Sequence, residues 1–200
     1  MAVYSLESSQ DSCYEGTTVL INKLNIRNQN ILNNAEAAIV TARTIDVIEN
    51  VKFKNADFEF YKALHGKIFG DLYDWAGNLR SINISKKGSF FCKAEDIEEI
   101  GVLKFKYLKA NNYFCGLSLE KFVESVADFY NEFNYLHPFR EGNGRTLRLF
   151  ITMLAKNAGY DIDFEKCDSD ILMIATIKAF YGDLFLLRDV FKNITESSDT

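Results

Sequence analysis

Apolar residues recur at intervals of three and four through most of the chain, and this period predicts helices. Between Asn28 and Asn50 they fall at Ile31, Leu32, Ala35, Ala38, Ile39, Ala42, Ile45 and Ile48. Residues 57–69 repeat the pattern with Phe58, Tyr61, Leu64, His65, Ile68 and Phe69. Two further helices are predicted at about 95–110 and 118–136, the second with Phe122, Val123, Val126, Phe129, Tyr130, Phe133 and Leu136 on one wide stripe. His137-Pro138 interrupts the period, which resumes near Asn143. Leu147, Leu149, Phe150, Met153, Leu154 and Ala158 then line the inner side, and Gly159 is placed as a C-terminal stop. The last two helices are predicted at about 168–180 and 183–194.

One stretch has a different texture. Leu79 to Ser85 alternates as a half-exposed strand does, Lys86-Lys87-Gly88 signals a turn, and Ser89 to Cys92 reads as the return strand. Two strands alone are marginal in water, so this hairpin over 79–92 must lie on a helical body as a flap. Residues 1–13 are Ser-rich and read as loosely held. Tyr14 to Thr18 reads as a turn feeding the short apolar segment Val19-Leu20-Ile21. With no internal repeat and no linker, the expected architecture is one all-α domain over residues 1–200 with a hairpin insertion.

Composition sharpens this. A single proline in 200 residues fits long helices with short joints. A net charge of −5 argues against broad nucleic-acid binding. No run of 18 apolar residues exists to span a membrane, and the N-terminus lacks the basic start and apolar run of a signal peptide. The four cysteines form no Cys-x-x-Cys pair, which speaks against a zinc knuckle, and they read as reduced, buried hydrophobes of a cytoplasmic protein.

The chemistry concentrates in one segment, His137-Pro138-Phe139-Arg140-Glu141-Gly142-Asn143-Gly144-Arg145-Thr146-Leu147-Arg148. It holds the only proline and one of two histidines, and it joins one helix C-terminus to the next helix N-terminus. Glycines let backbone amides approach a ligand, and a helix N-terminus supplies unpaired donors, so together they make an anion site. Arg145 and Arg148, three apart, share a helix face, and two guanidinium forks suit a polyphosphate. Glu141 fits no pure anion site but suits a Mg²⁺ that bridges phosphate oxygens. His137, an imidazole titrating near neutrality, suits removal of a proton from an attacking hydroxyl.

The segment resembles the signature of Fic-domain proteins, His-Pro-Phe-x-Asp/Glu-Gly-Asn-Gly-Arg-x-x-Arg, with every fixed position filled. Weaker similarity runs from about Tyr14 to Phe191. It takes in Asn22-Lys23-Leu24-Asn25-Ile26, Trp75-Ala76-Gly77, the hairpin and Gly182-Asp183-Leu184. The arrangement is similar to bacterial two-gene Fic toxins. The resemblance implies a Fic-like helical bundle with a β-hairpin flap that docks the target. It implies transfer of AMP from ATP to a Ser, Thr or Tyr hydroxyl of a protein, with release of pyrophosphate. It assigns His137 as general base, Phe139 as the loop's core anchor and Glu141 as the Mg²⁺ ligand. Gly142, Asn143 and Gly144 would form the anion hole, with Arg145 and Arg148 on the outer phosphates. For toxins of this type it implies the ATPase subunits of DNA gyrase and topoisomerase IV as targets.

The self-inhibitory Ser/Thr-x-x-x-Glu-Gly/Asn run of many Fic proteins is missing, because neither Glu15-Gly16 nor Glu49-Asn50 has the required residue four back. Inhibition is therefore expected from a separate small helical antitoxin whose Glu pairs with Arg148. Two rivals stay open: transfer of another nucleotide or of phosphocholine on the same fold, and a non-catalytic nucleotide-binding module. His65 is read as a structural histidine, Trp75 as a packing anchor and Asp183 as a helix cap. Lys86, Lys87 and Lys93 read as steering charges or a solvated tip. Phe90 and Phe91 cannot both face inward, so one of them is expected to contact target or nucleotide.

Overall fold

The computed structural model describes residues 5–6, 12–86 and 89–198. Seven helices carry it, at the positions the period predicts: α1 (Gln29–Asn50), α2 (Phe58–Phe69), α3 (Ile97–Ala110), α4 (Leu119–Leu136), α5 (Asn143–Ala158), α6 (Ser169–Phe180) and α7 (Phe185–Ile194). Short polar side chains start several of them by accepting orphan amides. Asn28 Oδ1 accepts from the amides of Asn30 and Ile31, Asp57 from Phe60, and Asp168 from Asp170 and Ile171. Asp183, read as the cap of α7, stands one residue before the N-cap Leu184 and accepts from the Phe185 amide. Gly159 ends α5 at φ 88°, a left-handed conformation that suits glycine.

α4 and α5 lie at the centre, with α2, α3, α6 and α7 packed around them and α1 outside α2. The core between them is aromatic. Tyr61 of α2 meets Phe133 of α4 edge-on at 5.0 Å, Phe129 stacks on Phe133 at 4.6 Å, and Phe105 of α3 meets Phe150 of α5 at 5.2 Å. Such pairs add to what their area burial contributes and fix ring orientation.

The hairpin is shorter than its alternation suggests. Its strands are β2 (Ile84–Lys86) and β3 (Ser89–Phe90), while β1 (Ser5–Leu6) pairs antiparallel with β2 on the other side. The turn at Lys87-Gly88 and most of residues 1–13 lie outside the described residues. Residues 79–83 are not strand, because the Arg80 amide donates instead to the Pro138 carbonyl at 2.9 Å. A second antiparallel pair, β4 (Tyr160–Ile162) with β5 (Thr195–Ser197), follows α5 and α7 and has no counterpart in the sequence reading.

Two other expectations change. On α1 the buried line runs through Leu32, Val40 and Val47, whereas Ile31, Ile45 and Ile48 are exposed. Of the cysteines only Cys92 is buried, and Cys13, Cys115 and Cys167 are half-buried, all four as free thiols.

Gly101 is the tightest joint between α2 and α3. A Cβ there would lie 2.5 Å from the Phe58 ring. Gly101→Ala therefore lowers stability by about 1–2 kcal/mol net of its gain in helix propensity. Urea unfolding measures this, and an unchanged or higher midpoint would show that the ring moves aside freely.

Candidate active site

The turn 137–142 joins α4 to α5. His137 closes α4 in the left-handed conformation (φ 43°), and its amide makes the last helical bond, to Phe133 O at 3.1 Å. Phe139 is fully buried, its ring stacked on His65 at 3.8 Å and on Tyr61 at 5.7 Å. A buried turn must satisfy its own polar groups. Asn143 does this reciprocally: its Oδ1 accepts from the Phe139 amide and its Nδ2 donates to the Phe139 carbonyl, both at 2.8 Å. The Asn143 carboxamide is therefore spent on the loop, and only its backbone amide is left for an anion.

Gly142 starts α5 at φ 79°, and a Cβ there would lie 2.3 Å from the Phe69 ring, so both conformation and space require glycine. Its amide donates to Glu141 Oε1 at 2.9 Å. The first intrahelical bond of α5 is Thr146 to Gly142 O at 3.0 Å, so the amides of Asn143, Gly144 and Arg145 precede the helical ladder. Of the expected set, the Gly142 amide is thus taken by Glu141, while those of Asn143 and Gly144 lie in the first turn of the helix. Gly144 is exposed, and the only group near its missing Cβ is Arg148 Nη1 at 3.6 Å.

The two arginines flank this helix end. Arg145 lies 4.7 Å above the Phe69 ring, with Nη2 2.6 Å from Glu36 of α1 and 3.9 Å from Glu141. Arg148 turns the other way, its Nη1 beside Gly144 and its charge near the buried Tyr130 hydroxyl of α4. Burial raises the Tyr130 pKa and Arg148 opposes that rise, so the hydroxyl stays neutral beside a full positive charge. No carboxylate pairs with Arg148 among the described residues.

The His137 ring is 6% exposed but lies against the flap and not in the aromatic core. It stacks on Phe91 at 4.0 Å, and Nδ1 is 3.2 Å from the Asn134 carbonyl. A carbonyl only accepts, so Nδ1 carries the proton and the basic lone pair falls on Nε2. Phe90 points the other way and is 73% exposed. The two phenylalanines thus divide as strand alternation demands.

Two buried residues hold this arrangement. His65, as expected, is structural: Gly77 N–H donates to Nδ1 at 2.8 Å, so Nε2–H donates to the Glu141 carbonyl at 3.0 Å. It ties the Trp75-Ala76-Gly77 turn, where Trp75 stacks on Tyr73 at 4.5 Å, to the active-site turn. Arg80 escaped the sequence reading. It is 4% exposed and donates from Nε to His137 O at 2.8 Å, from Nη1 to Ile82 O at 2.7 Å, and from Nη2 to the carbonyls of Cys92 and Leu136. One guanidinium thereby joins both flap stems to the C-terminal end of α4, whose dipole favours a cation. An arginine within an alternating run carries no sequence mark of such a role.

This combination of a central helix pair, a left-handed histidine and an amide-rich helix start between two arginines defines a phosphate-handling helical domain. The Fic/DOC family model matches residues 55–155, and the chain belongs to that family. It is 39% identical over 173 residues to "Probable protein adenylyltransferase y4lH" of Sinorhizobium fredii, spanning 86% of this chain and 88% of that protein. It is 33% identical to "Probable protein adenylyltransferase Fic" of Escherichia coli, spanning 92% of each. Its fold superposes on the BepC protein of Bartonella tribocorum, solved with bound AMPPNP, with a TM-score of 0.89 at 28% identity over 95% and 98% of the two chains. An N-terminal Fic domain from Bartonella quintana with bound ADP gives 0.89 at 26% identity, over 94% and 96%. Among the described residues no helix is long and apolar enough to cross a membrane.

Two predictions follow from the buried pair. Burial, reinforced by the Arg145 charge and opposed by the bond to Glu141, lowers the His65 pKa from 6.5 to about 4. The unfolded chain therefore takes up this proton first as pH falls. The neutral histidine's contribution is complete above pH 6.5 and is lost between 6.5 and about 4, a loss of about 3 kcal/mol. Urea midpoints over this range fall more steeply for the wild type than for His65→Gln, and parallel slopes would refute the assignment. Arg80→Met strands several buried carbonyls and lowers stability by roughly 3 kcal/mol, while Arg80→Lys restores only part of it, since one ammonium cannot reach four carbonyls. Equal unfolding midpoints for wild type and Arg80→Met would show that the clamp bears no load.

Proposed function

We propose that this protein is an adenylyltransferase that moves AMP from ATP to a Ser, Thr or Tyr hydroxyl of a target protein. The observation that carries the reading is the placement of His137, with its lone pair on Nε2, beside an α5 N-terminus flanked by Arg145 and Arg148. The names of the relatives and the nucleotides in the structural neighbours support it.

In this reaction the target hydroxyl oxygen bonds to the α-phosphorus, its proton passes to His137 Nε2, and the bond to pyrophosphate breaks. Little covalent work falls to the protein, which aligns the reactants and neutralises charge. The amides of Asn143, Gly144 and Arg145 face the phosphate chain, with the two guanidiniums on either side. Glu141 is the residue to hold Mg²⁺. Its half-exposed carboxylate, with one oxygen on the Gly142 amide, suits an ion that takes one or two protein carboxylates and completes its shell with phosphate oxygens and water. When bound, Mg²⁺ supplies charge neutralisation to the triphosphate. The flap, with Phe91 on the base and Phe90 exposed, presents the target segment.

The finer reading follows the resemblance to two-gene toxins. The targets are the ATPase subunits of DNA gyrase and topoisomerase IV in the bacterial cytoplasm, and a separate small helical antitoxin restrains the enzyme through a Glu on Arg148. Two features support the antitoxin: Arg148 pairs with no carboxylate among the described residues, and no inhibitory Glu run occurs in the sequence.

Incubation with α-labelled or γ-labelled ATP, Mg²⁺ and purified gyrase or topoisomerase IV ATPase subunits tests the reading. Label enters the target from the α position only and disappears with His137→Ala. Label from γ means phosphorylation, and no label from either, in these subunits or in a bacterial lysate, means a binding module. Arg148→Ala weakens ATP binding about 10- to 100-fold in titration, as expected for loss of one charge-assisted contact.

A further inference from the structure

On α1, Glu36 occupies a place where the helical period calls for an aliphatic residue. It lies four residues after Leu32 and four before Val40, both buried, and its side chain is only 14% exposed. A carboxylate in such a position requires partners. Its Oε1 is 2.6 Å from Arg145 Nη2, and its Oε2 accepts the hydroxyl of Tyr73, which burial and the Glu36 charge hold well above the ordinary tyrosine range and hence protonated. Arg145 is boxed further by the Phe69 ring beneath it at 4.7 Å and by Glu141 at 3.9 Å.

We propose that Glu36 is a positioning residue for the transfer reaction: from α1 it fixes the Arg145 guanidinium, through one edge, in the orientation from which its remaining donors grip the phosphate chain of ATP. The proposal rests on the phosphate role of Arg145 argued above. A guanidinium carries five donors in a rigid plane, so one edge can be anchored while another serves a ligand. A long, free arginine beside a helix N-terminus would be repelled by the partial positive charge there and would lose side-chain entropy on gripping the phosphates. A fixed carboxylate offsets the first effect and removes the second before the nucleotide arrives.

The geometry favours anchoring over competition with the nucleotide. Both Glu36 oxygens are committed to side chains, and neither contacts the α5 first-turn amides, where a carboxylate standing in for phosphate would bind. Tyr73, from the segment just after α2, holds the carboxylate from its other side and so fixes the anchor's own position.

The test is ATP titration, with Mg²⁺, of the full chain and of Glu36→Ala, Glu36→Gln, Tyr73→Phe, Arg145→Ala and the double variant Glu36→Ala/Arg145→Ala, each checked for folding by thermal melting. Glu36→Ala weakens ATP binding about 5- to 20-fold, a coupling normal for residues in direct contact. Glu36→Gln, which keeps an acceptor, and Tyr73→Phe, which loosens the anchor, weaken it about 2- to 3-fold. In the Arg145→Ala background, Glu36→Ala has no further effect, which a merely structural contribution of Glu36 would not produce. Tighter ATP binding by Glu36→Ala, or additive losses in the double variant, overturns the proposal while leaving the site's assignment intact. Unchanged binding by Arg145→Ala alone overturns the phosphate role of Arg145 itself, and the two failures are thereby told apart. Should Glu36→Ala not fold, the Gln and Phe variants carry the same test.

Discussion

The reciprocal pair between the Asn143 carboxamide and the backbone of Phe139 is the constraint on which the site depends. It closes a turn that must reverse direction inside the molecule, where no water satisfies its amides. Because the turn is closed, the Phe139 ring drops into the slot between His65 and Tyr61. With that ring fixed, His137 must end α4 in a left-handed conformation, and Gly142 must begin α5 in another. The first-turn amides of α5 then face outward as a set. Without the carboxamide, the same donors would be scattered along a flexible connection.

Three of the cations around this turn, Arg80, Arg145 and Arg148, are handled in different ways. Arg80 is buried among carbonyls and joins flap to turn, so its charge is absorbed by backbone dipoles. Arg145 is neutralised by a carboxylate and stacked on an aromatic face. Arg148 lies near the buried Tyr130 hydroxyl and, among the described residues, pairs with no acid.

Much of this was legible in the sequence, for a physical reason. Helix period is a local property, so all seven helices stand where the apolar spacing puts them. The turn itself was legible because the single proline and the Gly142-Asn143-Gly144 run interrupt the helical period between α4 and α5. What escaped reading was set by tertiary contact. Arg80 looks like one polar member of an alternating strand until the Pro138 and His137 carbonyls meet it. Glu36 was hidden because the stripe on α1 was drawn from Leu32 through Ala35, Ala38, Ile39, Ala42 and Ile45, whereas the buried line runs from Leu32 to Val40 and Val47. The true line would have shown a carboxylate among buried aliphatics. The strands β1, β4 and β5 are two or three residues long and too short for any period to register. That the Asn143 carboxamide closes the turn was not legible either, because the Phe139 peptide group it bonds is brought to it only by the fold.

The flap and the base are physically one unit. Arg80 pins both flap stems to the end of α4, and Phe91 lies flat on His137. A strand added to the flap's outer edge would shift β3, and Phe91 follows Phe90 of that strand directly in sequence. Displacement of the flap is therefore transmitted to the ring that covers the imidazole, while the imidazole itself stays tethered through Nδ1 to Asn134. The orientation of the base is thus set by the helix, and its covering by the flap.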